Sequence, residues 1–208
     1  MNFEKLTFEE LVDALASDAP TPGGGTAAAL AGAMGASLAE MVAALTVAKD
    51  KYAASHAAVR PIGEAAARTR QRLLELAQED SDSYDAVVAA RRLPKGTDEE
   101  KAERSRRMAE TNRLAAEVPM RTAREAGGLL ASISELAEKG NPNATSDAGA
   151  AALLLEAAVQ GALLNVAINL SGADDSRFAA QMTEESERVA REATRTRERV
   201  LAIVRKRL

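Results

Sequence analysis

Residues Ala148 to Leu170 read AGAAALLLEAAVQGALLNVAINL, in which only Glu156, Gln160, Asn165 and Asn169 are polar. A helix apolar on nearly all sides must be surrounded, either at the centre of a bundle or at a subunit boundary. A second stretch, Thr26 to Ala48, is rich in Ala and Gly and carries Glu40 as its only charge. Both are long enough to cross a hydrocarbon layer of about 30 Å. Ala and Gly drive insertion weakly, however, and one central acid costs about 2.5–3.5 kcal/mol on insertion scales. The reading is therefore buried helices and no membrane. Alternating runs of Val, Ile, Thr and aromatics, the signal of strands, are absent. The expected fold is all-α: an up-and-down type bundle of long helices in a single domain over 1–208. Two such apolar helices in so short a chain predict a homodimer closed through them.

Composition narrows the chemistry. The 208 residues carry 27 Lys+Arg against 31 Asp+Glu, a net charge of -4 that argues against a surface built for nucleic acid or anionic lipid. With no Cys there are no disulfides, thiolate nucleophiles or Cys-ligated metal sites, and His56 is the single histidine. Aromatics are 2% and Trp is absent, so the core is made of Ala, Leu, Val, Ile and Met. Residues 1–20 mix Glu4, Lys5, Glu9, Glu10 and Asp13 with apolar residues and do not read as a secretion signal. The expected compartment is the cytoplasm.

The remaining elements follow from caps and breakers. Thr7 with Glu10 is a capping box opening a short helix to about Ala16. Pro20, Pro22 and the glycines Gly23, Gly24 and Gly25 predict an extended approach and a loop, with a long helix from about Thr26 to about Ser55. Pro61 marks the first turn of the next helix, which runs to Ala90 and is broken by Pro94 and Gly96. Thr97 with Glu100 caps a helix to Val118, ended or kinked by Pro119 and resuming to about Lys139. Gly140 to Asn143 is a loop, with Ser146 or Asp147 capping the helix that follows, and Gly172 to Asp175 is the last break before a charged helix. The basic end of that helix, Arg195 to Arg207, reads as a solvated face, since cations also favour a helix C-terminus.

Three places could carry chemistry. In Pro20-Thr21-Pro22-Gly23-Gly24-Gly25-Thr26 consecutive glycines permit positive φ and close approach of a ligand, and the unpaired N–H groups of the helix start suit an anion. The motif is neither a P-loop nor a dinucleotide fingerprint, and a tight interhelix turn is the competing reading. In Gly140 to Asp147, Asn141 and Asn143 suit turns and Ser146 or Asp147 suits a cap. Asp80 sits in an acidic run that is most simply exposed, yet it falls in phase with Leu73, Leu76, Ala77 and Tyr84. An inward carboxylate would have a raised pKa and become a candidate acid or base. Asn165 and Asn169, one turn apart on the most apolar helix, need partners in the core or from a ligand.

Taken in order, these residues resemble the cyclodeaminase domain of formiminotransferase-cyclodeaminase and the standalone bacterial methenyltetrahydrofolate cyclohydrolases. The resemblance rests on Pro20-x-Pro22-Gly23-Gly24-Gly25-Thr26, Gly32 to Gly35, Met41-Val42, Leu45-Thr46, Lys49 and Tyr52. It continues through Asp80, Arg92-Leu93-Pro94, Val118-Pro119, Gly140-Asn141, Ser146-Asp147 and Gly161-x-x-x-Asn165-Val166-x-Ile168-Asn169-Leu170. Thr26 stands where the pattern has Ser and keeps the hydroxyl. The resemblance implies an all-helical dimer acting on a one-carbon tetrahydrofolate as substrate. Hydrolysis of 5,10-methenyltetrahydrofolate is the leading expectation. Cyclodeamination of formiminotetrahydrofolate is the alternative, and a non-catalytic folate-binding or structural dimer is a further one. Neither reaction requires a metal, a thiol or a redox cofactor. Asp80 or Asp147 is expected as the acid/base. Pro22, Gly23, Gly24, Gly25, Thr26, Lys49, Tyr52, Asn141, Ser146, Asn165 and Asn169 are expected to bind the substrate, with its glutamate tail at the glycine-rich helix start.

Overall fold

The computed structural model describes residues 3–171 and 175–208. Six α-helices follow in order: α1 (Phe8–Ala16), α2 (Gly24–Val47), α3 (Ala53–Arg91), α4 (Asp98–Lys139), α5 (Thr145–Leu170) and α6 (Ser176–Arg207). No strand occurs among the described residues. Packing runs α3–α2–α5 on one side and α3–α4–α5 on the other, with α6 closing against α4 and α5. The chain is the all-α bundle its periodicity predicts.

With so few aromatics the core closes by bringing backbones near one another. A Cβ added at Gly32 would stand 3.0 Å from the Ala158 Cβ, and one at Gly161 would stand 3.1 Å from that of Ala28. The α2–α5 contact is therefore a seam of small residues with little room for a methyl group. Around it Leu73, Leu76, Met120, Leu130, Ile133, Leu136 and Leu155 are fully buried, each side chain contributing about 1.5–3 kcal/mol on leaving water. Both α2 and the Pro142–Leu170 stretch are long and apolar enough to cross a membrane by length and composition, and about half of each is buried within the bundle.

Both capping boxes form as read: Thr7 accepts from the Glu10 N–H and Thr97 from the Glu100 N–H, and each glutamate returns a bond to the cap backbone. Four boundaries differ. The second helix begins at Gly24, two residues before Thr26, and ends at Val47 rather than near Ser55. Its end is fixed by the buried Thr46, whose hydroxyl donates to the Val42 carbonyl at 2.7 Å and accepts the Asn141 N–H at 2.8 Å. The third helix starts at Ala53, so Pro61 lies inside it between the buried Val59 and Ile62. Pro119 likewise sits within an unbroken α4. The fifth helix starts at Thr145 with no side-chain cap, which places Ser146 and Asp147 in its first turn. Of the break read at Gly172 to Asp175, residues 172–174 lie outside the described residues, and Asp175 caps α6 by accepting from Arg177 and Phe178.

Helix length positions the site. Gly63 faces Ala43 at one end of α2, and Asp80 faces Gly25 at the other. Because α3 continues to Arg91, its last eleven residues overhang the N-terminus of α2, about 16 Å at 1.5 Å per residue. The start of α4 returns beside them. This two-helix arm forms one wall of a cleft whose other walls are the ends of α2 and α5 and the chain leading into α2.

Candidate functional site

The cleft encloses about 420 Å³ and is lined by Pro20, Thr21 and Gly23 to Gly25, by Asp80, Ser83, Tyr84, Val87 and Arg91 of α3, by Asn112 and Ala115 of α4, and by Asn165, Ile168, Asn169 and Ser171. That volume falls within the range of small-molecule sites.

Asp80 is the half-buried carboxylate of its lining. The Thr26 hydroxyl donates to Asp80 Oδ2 at 3.0 Å and lies 3.4 Å from the Ala77 carbonyl. A Cβ on Gly25 would come within 2.7 Å of both Asp80 Cγ and Oδ2. The carboxylate therefore rests directly against the backbone of the first turn of α2, in space that only glycine leaves open. Burial pushes its pKa above the ordinary aspartate value, against the opposing effect of the bonds from Thr26. A half-buried carboxylate with a raised pKa at a cleft is suited to taking and returning a proton.

The glycine-rich segment works differently from its sequence expectation. No glycine among the described residues has positive φ, and Gly24 and Gly25 are helical residues of α2 with Gly23 as N-cap. Their use is close approach: Gly25 admits Asp80, and a Cβ on Gly24 would meet Asn165 Nδ2 at 3.4 Å. The anion at this helix start is the chain's own Asp80, held by Thr26 and resting against Gly25.

Asn165 donates to the Gly161 carbonyl at 2.9 Å, and Asn169 donates to the Ala115 carbonyl at 2.6 Å. The second bond ties α5 to α4 beneath the cleft. Both residues line the cleft.

Five of the residues expected to bind or react stand elsewhere. Lys49, Tyr52, Asn141, Ser146 and Asp147 gather at the opposite end of α2, about 36 Å away for a 24-residue helix. Tyr52 donates to Asn141 Oδ1 at 3.0 Å, and that oxygen also accepts the Asn143 N–H at 3.1 Å. Asn141 is buried, with its backbone N–H on Thr46. These bonds lock the α4–α5 turn onto the end of α2, which is a structural use for Tyr52 and Asn141. Lys49 and Ser146 are exposed and Asp147 is half-buried. Within one chain none of the five reaches the cleft.

Arg91, Asn112, Ser83 and Val87 line the cleft without having been singled out. One signal was present: Asp80, Tyr84, Val87 and Arg91 recur at i, i+4, i+7 and i+11, a single face of α3. No local signal marks Asn112, which is brought in by the return of α4.

The profile of the formiminotransferase-cyclodeaminase family matches residues 7–188. The chain is 42% identical to the methenyltetrahydrofolate cyclohydrolase of Methylorubrum extorquens, covering 95% of each. It is 33% identical to the formimidoyltransferase-cyclodeaminase of Gallus gallus, over 94% of this chain but 36% of that longer one. The crystal structure of formiminotetrahydrofolate cyclodeaminase from Thermotoga maritima superimposes with a TM-score of 0.87 at 33% identity, covering 98% of each chain.

Proposed function

The chain belongs to the formiminotransferase-cyclodeaminase family, and from that membership we propose that it hydrolyses 5,10-methenyltetrahydrofolate to 10-formyltetrahydrofolate. The observation that carries the reading is Asp80, a carboxylate with a raised pKa held against Gly25 and Thr26 in a cleft of suitable size. Similarity over nearly the full length of a cyclohydrolase supports this choice of reaction, since the chain spans only about a third of the bifunctional relatives.

The methenyl carbon bridges N5 and N10 as an amidinium cation. Ionised Asp80 draws that charge towards itself and accepts a proton from water as the oxygen bonds to the carbon. The tetrahedral carbon then breaks its bond to N5 while Asp80 returns the proton to that nitrogen and the hydroxyl releases its own proton to solvent, leaving the formyl group on N10. Asn165 and Asn169 frame the pterin side with their amide oxygens. Asp80 rather than Asp147 has the acid/base role, because Asp80 alone of the two lines the cleft.

A second reading, closure of formiminotetrahydrofolate with loss of ammonia, is favoured by the likeness to the Thermotoga maritima cyclodeaminase. It uses the same carboxylate at the same carbon. Incubation with each folate separates the two. Decay of the methenyl chromophore above the buffer rate marks the hydrolase; growth of that chromophore with release of ammonia marks the deaminase. Asp80→Asn should lower turnover about a hundredfold or more, the usual share of a positioned acid/base, while tetrahydrofolate binding persists. Full turnover in that variant would sink the assignment.

We infer that the working unit is a cytoplasmic homodimer closed across α2 and α5. Met34, Met41 and Leu45 of α2 and Leu153 and Leu164 of α5 are exposed, Leu164 at 73%. A helix read as surrounded on all sides thus has one side open, and a second copy would cover it.

A further inference from the structure

We propose that Arg91 binds the glutamate carboxylate of the folate, and that the α3 face from Asp80 to Arg91 serves as a ruler for substrate length. This inference rests on the folate reading above. The start of α2, where an anionic tail would otherwise dock, is occupied by Asp80 itself. A second carboxylate brought there would meet like charge at close range. The substrate's tail must therefore lie elsewhere in the cleft.

Arg91 is the only cationic side chain lining the cleft among the described residues. No carboxylate among those residues stands within ion-pair distance of it. Of the other cations on α3 and α4, Arg72 and Arg121 both hold Glu79 at 2.8 Å, Arg113 pairs with Glu117 at 3.0 Å and stacks on Phe178, and Arg104 donates to the Arg91 carbonyl. Three helical turns separate Asp80 from Arg91, about 16 Å along the axis. Between them on the same face lie Tyr84, 39% exposed, and the buried Val87, with Ile168 opposite on α5. The order along the cleft is a proton-transfer group, a flat apolar stretch with one aromatic ring, and a guanidinium. A one-carbon folate has the same order: the N5–N10 bridge, a p-aminobenzoyl ring, and a glutamate carboxylate. The long arginine side chain spans the distance remaining beyond the ring, and its planar fork donates two parallel hydrogen bonds to a carboxylate.

The experiment compares ligands with and without the glutamate. Binding of tetrahydrofolate and of tetrahydropteroate, which ends at the benzoate, is measured by calorimetry on the wild-type protein and on Arg91→Gln and Arg91→Lys. The wild type should favour tetrahydrofolate about tenfold or more. Arg91→Gln should bring the two ligands to near-equal affinity by weakening the first alone, and Arg91→Lys should restore part of the preference. For methenyltetrahydrofolate hydrolysis, KM should rise about tenfold in Arg91→Gln with kcat within about twofold. A preference unchanged in Arg91→Gln, or an equal loss for both ligands, overturns the assignment while leaving the folate reading intact. A wild type that binds neither ligand overturns the folate reading and this inference together.

Discussion

At Gly25 the missing side chain makes room for the carboxylate proposed to react. Asp80 fills the space a methyl group would occupy, so Gly25→Ala must either expel the carboxylate or shift the start of α2. Displacement of a reacting group by about 1 Å can cost about a hundredfold. Turnover in Gly25→Ala should therefore fall by between tenfold and a hundredfold, with helical content by circular dichroism unchanged. The raised pKa of Asp80 has two further consequences of known sign. In the proposed mechanism turnover needs the ionised form, so the acid limb of kcat/KM should lie above the ordinary aspartate range and vanish in Asp80→Asn. The folded state holds this proton more tightly than the unfolded chain. The resulting loss of stability is absent below the ordinary aspartate pKa, grows as pH rises to the raised value, and is constant above it. Asp80→Asn should accordingly melt no lower than the wild type at pH 7, with any advantage fading in acid. Asp80 was legible because its phase with Leu73, Leu76 and Ala77 put it on the apolar side. The use of Gly25 was not: three glycines announce freedom of φ, whereas the structure uses their lack of bulk against a residue remote in sequence.

Among the elements, those with local causes were readable and those with distant causes were not. The Thr97–Glu100 box and the Pro94–Gly96 break are written within a few residues, and the α3–α4 turn falls where they put it. The end of α2 depends on Thr46 bonding to Asn141, ninety-five positions away, and no window of sequence contains both. Thr46→Val tests that lock. The substitution keeps the shape but strands the Asn141 N–H in a buried place, an unmet donor that costs about 1–3 kcal/mol. The melting temperature should fall, with the drop in stability read by urea unfolding. Turnover per folded molecule should hold, since the cleft lies at the other end of α2. Helix α1 shows a different limit. Its apolar residues Phe8, Leu11, Val12 and Leu15 line a groove over α2, yet none of its residues is buried. An amphipathic pattern reports which face is apolar, not how tightly it docks.

For the whole molecule, composition told most about architecture and least about assembly of the site. A chain short of aromatics and rich in Ala and Gly folds by close helix approach, and the α2–α5 seam is the outcome. The open apolar side of those helices is where the dimer proposal is tested. Leu153→Glu with Leu164→Glu should convert the protein to a monomer in analytical ultracentrifugation, with helical content retained. An unchanged dimer in that variant would place the interface on another face. The residues read as one constellation prove to be two groups at opposite ends of α2. The sequence order that brought them together in the resemblance carries no information about which end of a bundle each occupies.

That separation also fixes how the protein meets light. There is no tryptophan, and the two tyrosines stand one at each end: Tyr84 in the cleft wall and Tyr52 in the lock on Asn141. Excited in the phenol band, the chain emits from this pair alone. A ligand in the cleft whose absorption overlaps tyrosine emission should quench Tyr84 by energy transfer, while Tyr52, a helix length away, serves as an internal reference. With Tyr52→Phe the chain keeps a single emitter, seated beside the chemistry and requiring no added label.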